Sequence, residues 1–403
     1  MIHDKEKFEK CTFFLFEKQE GAEEMKIVVA IDSFKGSLTS MEAGRATEAG
    51  IKKVMDAQVE VVPLADGGEG TVEALISGMQ GEYQTIEVTG PLLRKVSCQY
   101  GIIKDKSLGI IEMSQAAGIT LVPKEERNPL NTTTYGVGEV ILDAIKKGCK
   151  KFIVGIGGSA TNDGGVGMLM ALGFEFLDQE QKPIPLGAKG LAELAVIKTD
   201  KVSKDVLAAE FLIACDVVNP LCGENGCSAI YGPQKGADEA MIQKMDKDLL
   251  KYSQLVKTLF GKDNADVPGT GAAGGMGYAF LSFLNSRLES GIQIVLKETE
   301  LEKKIMDADL VITGEGRLDY QTAMGKAPIG VAQLAKKYNK TVIAFAGCVT
   351  SEATECNLHG IDAFFPVLRR LVTLEQAMEL ETARQNVTDC VEQVFRLITV
   401  YRK

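Results

Sequence analysis

Residues 153–167 read IVGIGGSATNDGGVG: an apolar run delivers the chain into six glycines interleaved with Ser159, Thr161, Asn162 and Asp163. A backbone so rich in glycine can turn successive N–H groups toward an anion. Gly155 to Ala160 satisfies G-x-G-x-x-A, the spacing at which a dinucleotide-binding fold passes from strand to helix. The continuation does not allow that helix. Asn162-Asp163-Gly164-Gly165 places turn formers and two glycines where an unbroken helix would have to pack on the sheet. A Walker A loop is missing as well, because Gly325-Lys326 is followed by Ala327 and position 320 is Tyr. A second G-x-G-x-x-G, from Gly269 to Gly274, follows Asp266-Val267-Pro268 rather than a strand, so it reads as a false match and as a flexible ligand loop.

Outward from this loop the chain alternates short β-branched runs with longer amphipathic stretches, the pattern of strands and crossover helices in an α/β protein. Met41 to Met55 reads as a helix capped by Thr39 or Ser40, Val137 to Lys147 as a helix preceded by the hydroxyls of Thr132, Thr133 and Thr134, and Lys151 to Ile156 as the strand that follows. Thr341 to Ala346 reads as a late strand and Leu374 to Tyr401 as a closing helical segment. Several apolar runs end in an acid beside polar or glycine residues: Asp32 before Ser33-Phe34-Lys35-Gly36-Ser37, Asp66 before Gly67-Gly68-Glu69-Gly70, Asp216, and Glu315 leading into Arg317 and Asp319. Ligands of open α/β sheets bind beyond the carboxyl ends of the strands, so these acids are expected to converge on one cleft, although each could equally cap the next helix.

Composition removes other classes. A net charge of -10 from 55 acidic and 45 basic residues disfavours a nucleic-acid partner, which needs a basic face. Nine cysteines show no C-x-x-C pair, and only His3 and His359 exist, which argues against a zinc site and a disulfide framework and leaves a Ser-His-Asp triad resting on His359. No apolar run reaches the ~18 residues of a membrane span, and residues 1–24 lack the apolar core and cleavage site of a signal peptide, so a cytoplasmic chain is expected. We read residues 1–24 as an N-terminal extension and Met25 as the natural start. The length suits two domains. Topology places residues 25–90 and 290–403 in one of them and residues 91–289 in a second, inserted one.

These features fit phosphoryl transfer, which needs N–H groups and cations around phosphates, oxygen ligands for Mg²⁺ and a carboxylate to take the acceptor proton. Gly157, Gly158, Ser159, Thr161, Gly164 and Lys326 are the candidates for phosphate or nucleotide binding, and Asp163 and Asp216 for Mg²⁺. Arg317, with its planar fork, suits a substrate carboxylate, and Ser33, Ser37 and Asn162 join it as substrate-binding candidates. Lys35 is a point charge for phosphate or carboxylate, and Asp66 or Asp319 would be the general base. Spacing does not rank the two.

The strings MKIVVAIDSFKGSLTS from Met25, PLADGGEGT from Pro63, GIGGSATNDGGVGMLMALG from Gly155 and TGEGRLDYQTAMGKAPIGVA from Thr313 resemble the type-1 glycerate kinase family of bacteria. The resemblance runs from Met25 to near the C-terminus. It implies ATP-dependent phosphorylation of D-glycerate, usually to the 2-phosphate, with glycerate 3-kinase activity as the alternative. It also implies two α/β domains, one Rossmann- or flavodoxin-like and built from both chain ends, the other inserted. A homodimer is compatible with it. Two other classes remain open at this point: a nicotinamide-dependent oxidoreductase, which would need an unbroken helix after Ala160, and a non-catalytic sugar-acid sensor.

Overall fold

The structure is a computed structural model and describes residues 24–65 and 70–401. Residues 1–23 of the expected extension, and Asp66, therefore lie outside the described residues.

Strands from the two ends of the chain form one parallel sheet. β1 (Met25–Ile31) pairs with β2 (Ala57–Val61) on one side and β11 (Leu310–Leu318) on the other, and β11 continues to β12 (Thr341–Val349) and β13 (Ala363–Pro366). β1 is buried at every position but Lys26, as a parallel strand covered on both faces must be. Ile27, Val29 and Ile31 join Ala43, Ile51, Val391 and Phe395 of the helices Ser40–Lys52 and Leu380–Tyr401 on one face. Val28 and Ala30 join Ile329 and Ala332 of the helix Ala327–Lys337 on the other. Thr39 caps Ser40–Lys52 through a reciprocal box with Glu42. The expected closing segment is two helices, Leu374–Met378 and Leu380–Tyr401. The order β2-β1-β11-β12-β13 is the flavodoxin-type 2-1-3-4-5 order, with its switch point between β1 and β11.

The middle of the chain builds a six-stranded sheet in the order β10-β9-β6-β5-β4-β3, from β3 (Glu82–Thr89), β4 (Lys95–Ile103), β5 (Leu108–Glu112), β6 (Lys151–Gly155), β9 (Glu210–Ala214) and β10 (Asn285–Glu289). β5, β6, β9 and β10 run parallel, and β3 and β4 add an antiparallel edge. β7 (Glu175–Leu177) and β8 (Val196–Lys198) form a separate small ribbon. β3 falls within the segment expected to belong to the first unit, yet it pairs along its whole length with β4. The chain therefore changes sheets around the helix Thr71–Met79, and not near residue 90. That helix and Gly291–Glu298 lie between the sheets, where Leu75, Ile76, Ile292 and Val295 share one core with Val28 and Val311 of the first sheet and Ile110, Ile153 and Leu212 of the second. Among the described residues no helix is long and apolar enough to cross a membrane.

The two glycine-rich segments meet backbone to backbone. The Gly164 N–H donates to the Gly274 carbonyl at 2.9 Å. A Cβ at Gly274 would stand 2.1 Å from the Thr161 carbonyl oxygen, and one at Gly275 2.7 Å from Gly164 Cα. Ala273, Gly274 and Gly275 take φ of 54°, 67° and 95°, which kinks the helix Ala272–Phe283 at its start. The flexible loop expected from Gly269 to Gly274 thus ends in a packed clasp, where close approach of two backbones requires glycine at 274 and 275. Gly275→Ala should lower stability by ~2 kcal/mol or more, since it adds a backbone clash to a left-handed φ. Gly325→Ala, at φ 110° with open space around it, should cost the conformational strain alone. Urea unfolding of the two variants checks the difference.

Candidate active site

At the switch point the ends of β1 and β11 present their loops side by side. The Asp32 N–H donates to the Gly314 carbonyl at 2.9 Å, and the Ser33 N–H to Asp32 Oδ1 at 2.7 Å. Gly36, at φ 78°, turns the loop back so that the N–H groups of Ser37 and Leu38 reach the Phe34 carbonyl. Ser40 Oγ donates to the Ile31 carbonyl and accepts from the Leu64 N–H, fixing the loop to the sheet. Lys35 is carried on this loop and lines three cavities.

The first cavity, about 400 Å³, has Ser33, Ser37, Lys35, Glu315, Arg317, Asp319 and Lys326 on its polar side and Phe34, Val367 and Met378 on its apolar side. Glu315 is 8% exposed and accepts a 2.5 Å bond from Thr322 Oγ1. Burial lifts its carboxyl above the usual range, against the opposing pull of that bond and of Lys326 and Lys35. Asp319 caps the short helix Tyr320–Ala323: its Oδ1 accepts from the N–H groups of Gln321 and Thr322, and its Oδ2 lies 3.4 Å from Arg317 Nε. Ser37 Oγ is buried without a partner among the described residues. The second cavity, about 420 Å³, lies between the Lys35 loop and the end of β5, where Glu112 Oε1 accepts from the Val72 N–H. The third, about 460 Å³, joins Lys35 to the ends of β6 and β9, with Gly157, Gly158, Ser159, Asp216, Tyr231 and Lys235 in its walls.

The opening loop divides at Ala160. Gly157 and Gly158 are exposed and, with Ser159, face the third cavity, as expected of a phosphate wall. Residues 161–165 turn into the core. Asp163, expected as a Mg²⁺ ligand, is 1% exposed and accepts from the backbone and hydroxyl of Thr134, from Thr133 Oγ1, and from the N–H groups of Gly165 and Gly167. Burial pushes its carboxyl up and these donors pull it back. With its oxygens engaged by these protein donors it holds the loop. Asn162, expected at the substrate, is fully buried and donates to Ser228 Oγ at 2.8 Å. Gly164 gives its N–H to Gly274 and lies beside Leu249 and Tyr252, and Thr161 is fully buried; neither is in the walls of the three cavities described above. The helix after the loop is only Val166–Ala171, beginning beyond the Asn162–Gly165 break that argued against a dinucleotide fold.

Asp216 does line the third cavity, and its Oδ1 also accepts from Ser290 Oγ and the Gly291 N–H at the start of the helix Gly291–Glu298. Among the described residues no group of three His, Cys, Asp or Glu side chains is arranged to hold a metal ion. Two residues were missed. Glu315 was visible as a strand-end acid but was given no role, and Lys235 sits in the plain string Gly232-Pro233-Gln234-Lys235-Gly236, where nothing marks a buried lysine.

The profile of the glycerate kinase family matches residues 27–399. The chain belongs to the glycerate kinase family. It is 49% identical to the glycerate 2-kinase of Escherichia coli over 88% of this chain and 93% of that protein. It is 46% identical to the glycerate kinase of Halalkalibacterium halodurans over 90% and 97%. A solved structure described as a glycerate kinase 2 of Salmonella typhimurium LT2 superimposes with a TM-score of 0.87 at 45% identity, covering 94% of this chain and 99% of that one. The protein is therefore a kinase built on one parallel and one mixed sheet of α/β type, and membership in this family sets the oxidoreductase reading aside. In this glycerate kinase-family chain Asp163→Ala should act on the fold. It orphans at least three buried N–H donors and should cost ~3 kcal/mol or more of unfolding free energy, read from the shift in urea midpoint.

Proposed function

We propose that this protein transfers the terminal phosphoryl group of ATP to the 2-hydroxyl of D-glycerate, with Mg²⁺, giving 2-phosphoglycerate and ADP. The observation that carries the reading is the place of Lys35, where the cavity of Arg317 and Glu315 meets the cavity of the glycine loop. A kinase needs a cation between its acceptor and its phosphate donor, where negative charge gathers in the transition state. The names of the relatives support the substrate, and the Escherichia coli protein's name supports the 2-position.

In this reading the glycerate carboxylate takes the fork of Arg317, and Ser33 and Ser37 orient the hydroxyls. Lys326 stands on this side too and neutralises substrate charge. The acceptor oxygen bonds to the γ-phosphorus as the bond to the ADP oxygen breaks, and the hydroxyl proton passes to a carboxylate. Glu315 suits that task better than Asp319, because its burial raises its proton affinity while Asp319 spends one oxygen on capping. Asp66 keeps its place as an alternative base. Asp216, a hard oxygen donor beside the glycine loop, fits a Mg²⁺ whose remaining ligands come from phosphates and water. Bound there, the ion would neutralise phosphate charge. Free thiols among the described residues and a requirement for ATP fit a cytoplasmic setting.

Incubation with ATP, Mg²⁺ and D-glycerate, coupled directly to enolase, should give signal without added phosphoglycerate mutase. A signal that needs the mutase would show the 3-phosphate instead. Glu315→Gln should lower kcat by ~10²-fold. A base works deprotonated, so wild-type kcat should fall as pH drops through a pKa above the ordinary carboxylate value, and this acid limb should vanish in the variant. Arg317→Lys should chiefly raise KM for glycerate. A lower kcat with unchanged KM would move Arg317 to the transferring phosphate.

A further inference from the structure

Lys235 is a lysine with no apparent reason to be buried. It is 2% exposed, and its Nζ donates to Ser159 Oγ at 2.8 Å and to the Thr161 carbonyl at 2.6 Å. Among the described residues no carboxylate lies within ion-pair distance of it. Two neutral oxygens return only part of the several kcal/mol that desolvating an ammonium costs. Burial accordingly lowers its pKa to about 8, against the pull of Cys227 and Asp163. An ammonium has three donors, and two are accounted for.

The loop lying over Lys235 is short of acceptors in the same way. Among the described residues the N–H groups of Gly157, Gly158 and Ser159 donate to no carbonyl or side chain, while the Gly158 carbonyl is taken by the Ile119 N–H and the Ala160 N–H by the Ala117 carbonyl. Gly158, at φ 71°, is in the left-handed conformation that turns consecutive N–H groups to one side. These three residues and Lys235 share the walls of one cavity, with Lys35 across it. The uncompensated charge and the residues with unused donors thus border one space.

We infer that Lys235 and the N–H groups of Gly157, Gly158 and Ser159 form an oxyanion site that grips the phosphate chain of the nucleotide. The assignment to phosphate rests on the kinase reading, in which the substrate carboxylate goes to Arg317 in the neighbouring cavity. The anion supplies the negative charge that Lys235 lacks, and Ser159 ties the ammonium to the loop so that cation and N–H groups are held in one geometry. Asp216 also lines this cavity and would repel a bare polyphosphate, so the site calls for a divalent cation between them.

The test uses the full chain, with inorganic tripolyphosphate and Mg²⁺ in calorimetry and ATP and D-glycerate in steady-state kinetics. Lys235→Met should weaken tripolyphosphate binding tenfold or more, the scale of a lost charged hydrogen bond, and raise KM for ATP in step while KM for glycerate stays put. A lysine that only propped the loop would not produce that split. Gly158→Ala, which keeps the charge and strains the N–H array, should weaken tripolyphosphate in the same direction and reads the site even if Lys235→Met does not fold. Unchanged tripolyphosphate affinity and ATP KM in the folded variants, or a rise in glycerate KM alone, would overturn the proposal. Wild-type protein that binds tripolyphosphate through Lys235 yet forms no ADP with D-glycerate would keep the anion site and sink the kinase reading.

Discussion

The backbone of residues 161–165 lies against that of Gly274 and Gly275 with no room for a side chain at either glycine, and the glycine loop after β6 is held in place by that contact. Asp163 completes it from below. Its carboxylate collects donors from the start of the helix Tyr135–Lys146 and from the loop itself, so the end of β6, two helices and the clasp are fixed as one body. Backbone contact of this kind resists adjustment, because there is no flexible side chain to yield. The exposed turn at Gly157 and Gly158 is thus carried on a fixed base, which under the proposed function is the preorganisation that a site for developing charge requires.

The second constraint is the shared core between the sheets. The helices Thr71–Met79 and Gly291–Glu298 are covered by apolar side chains of both layers, so the carboxyl ends of β1, β11, β6 and β9 are brought to one cleft. The flavodoxin-type order opens a crevice between β1 and β11, and the insertion places a second set of strand ends opposite it. Lys35, on the loop after β1, stands between the two sets. Under the proposed function this position puts one cation between the acceptor and the phosphate donor, where negative charge gathers as the phosphoryl group is transferred.

Much of the architecture was legible. The apolar run at β1, the helix cap expected at Thr39 or Ser40 and the glycine break after Ala160 are local features whose physics acts within a few residues, and the structure has the cap at Thr39. Residues 25–90 were expected in one unit, but which sheet β3 joins depends on β4 and on where the chain crosses between layers. The acids divided similarly. Asp216 and Glu315 reach cavities, whereas Asp163, in the most conspicuous motif of the chain, is consumed by hydrogen bonds. A carboxylate beside glycines has the same sequence signature whether its lone pairs face a metal ion or five protein donors.

From the sequence alone came the α/β class, the assembly of one sheet from both chain ends, the family resemblance, and the exclusion of a dinucleotide helix after residue 160. Each depends on periodicity, turn chemistry or long specific strings, which are properties of neighbouring residues. The tertiary structure decided which half of the glycine loop faces solvent, that Gly274 and Gly275 form a clasp, and that Lys235 lies buried beneath the loop 74 residues away from the carbonyl it binds. Burial and hydrogen-bond saturation are set by residues remote in sequence, so the same Asp, Gly or Lys can be scaffold or site until the packing around it is known.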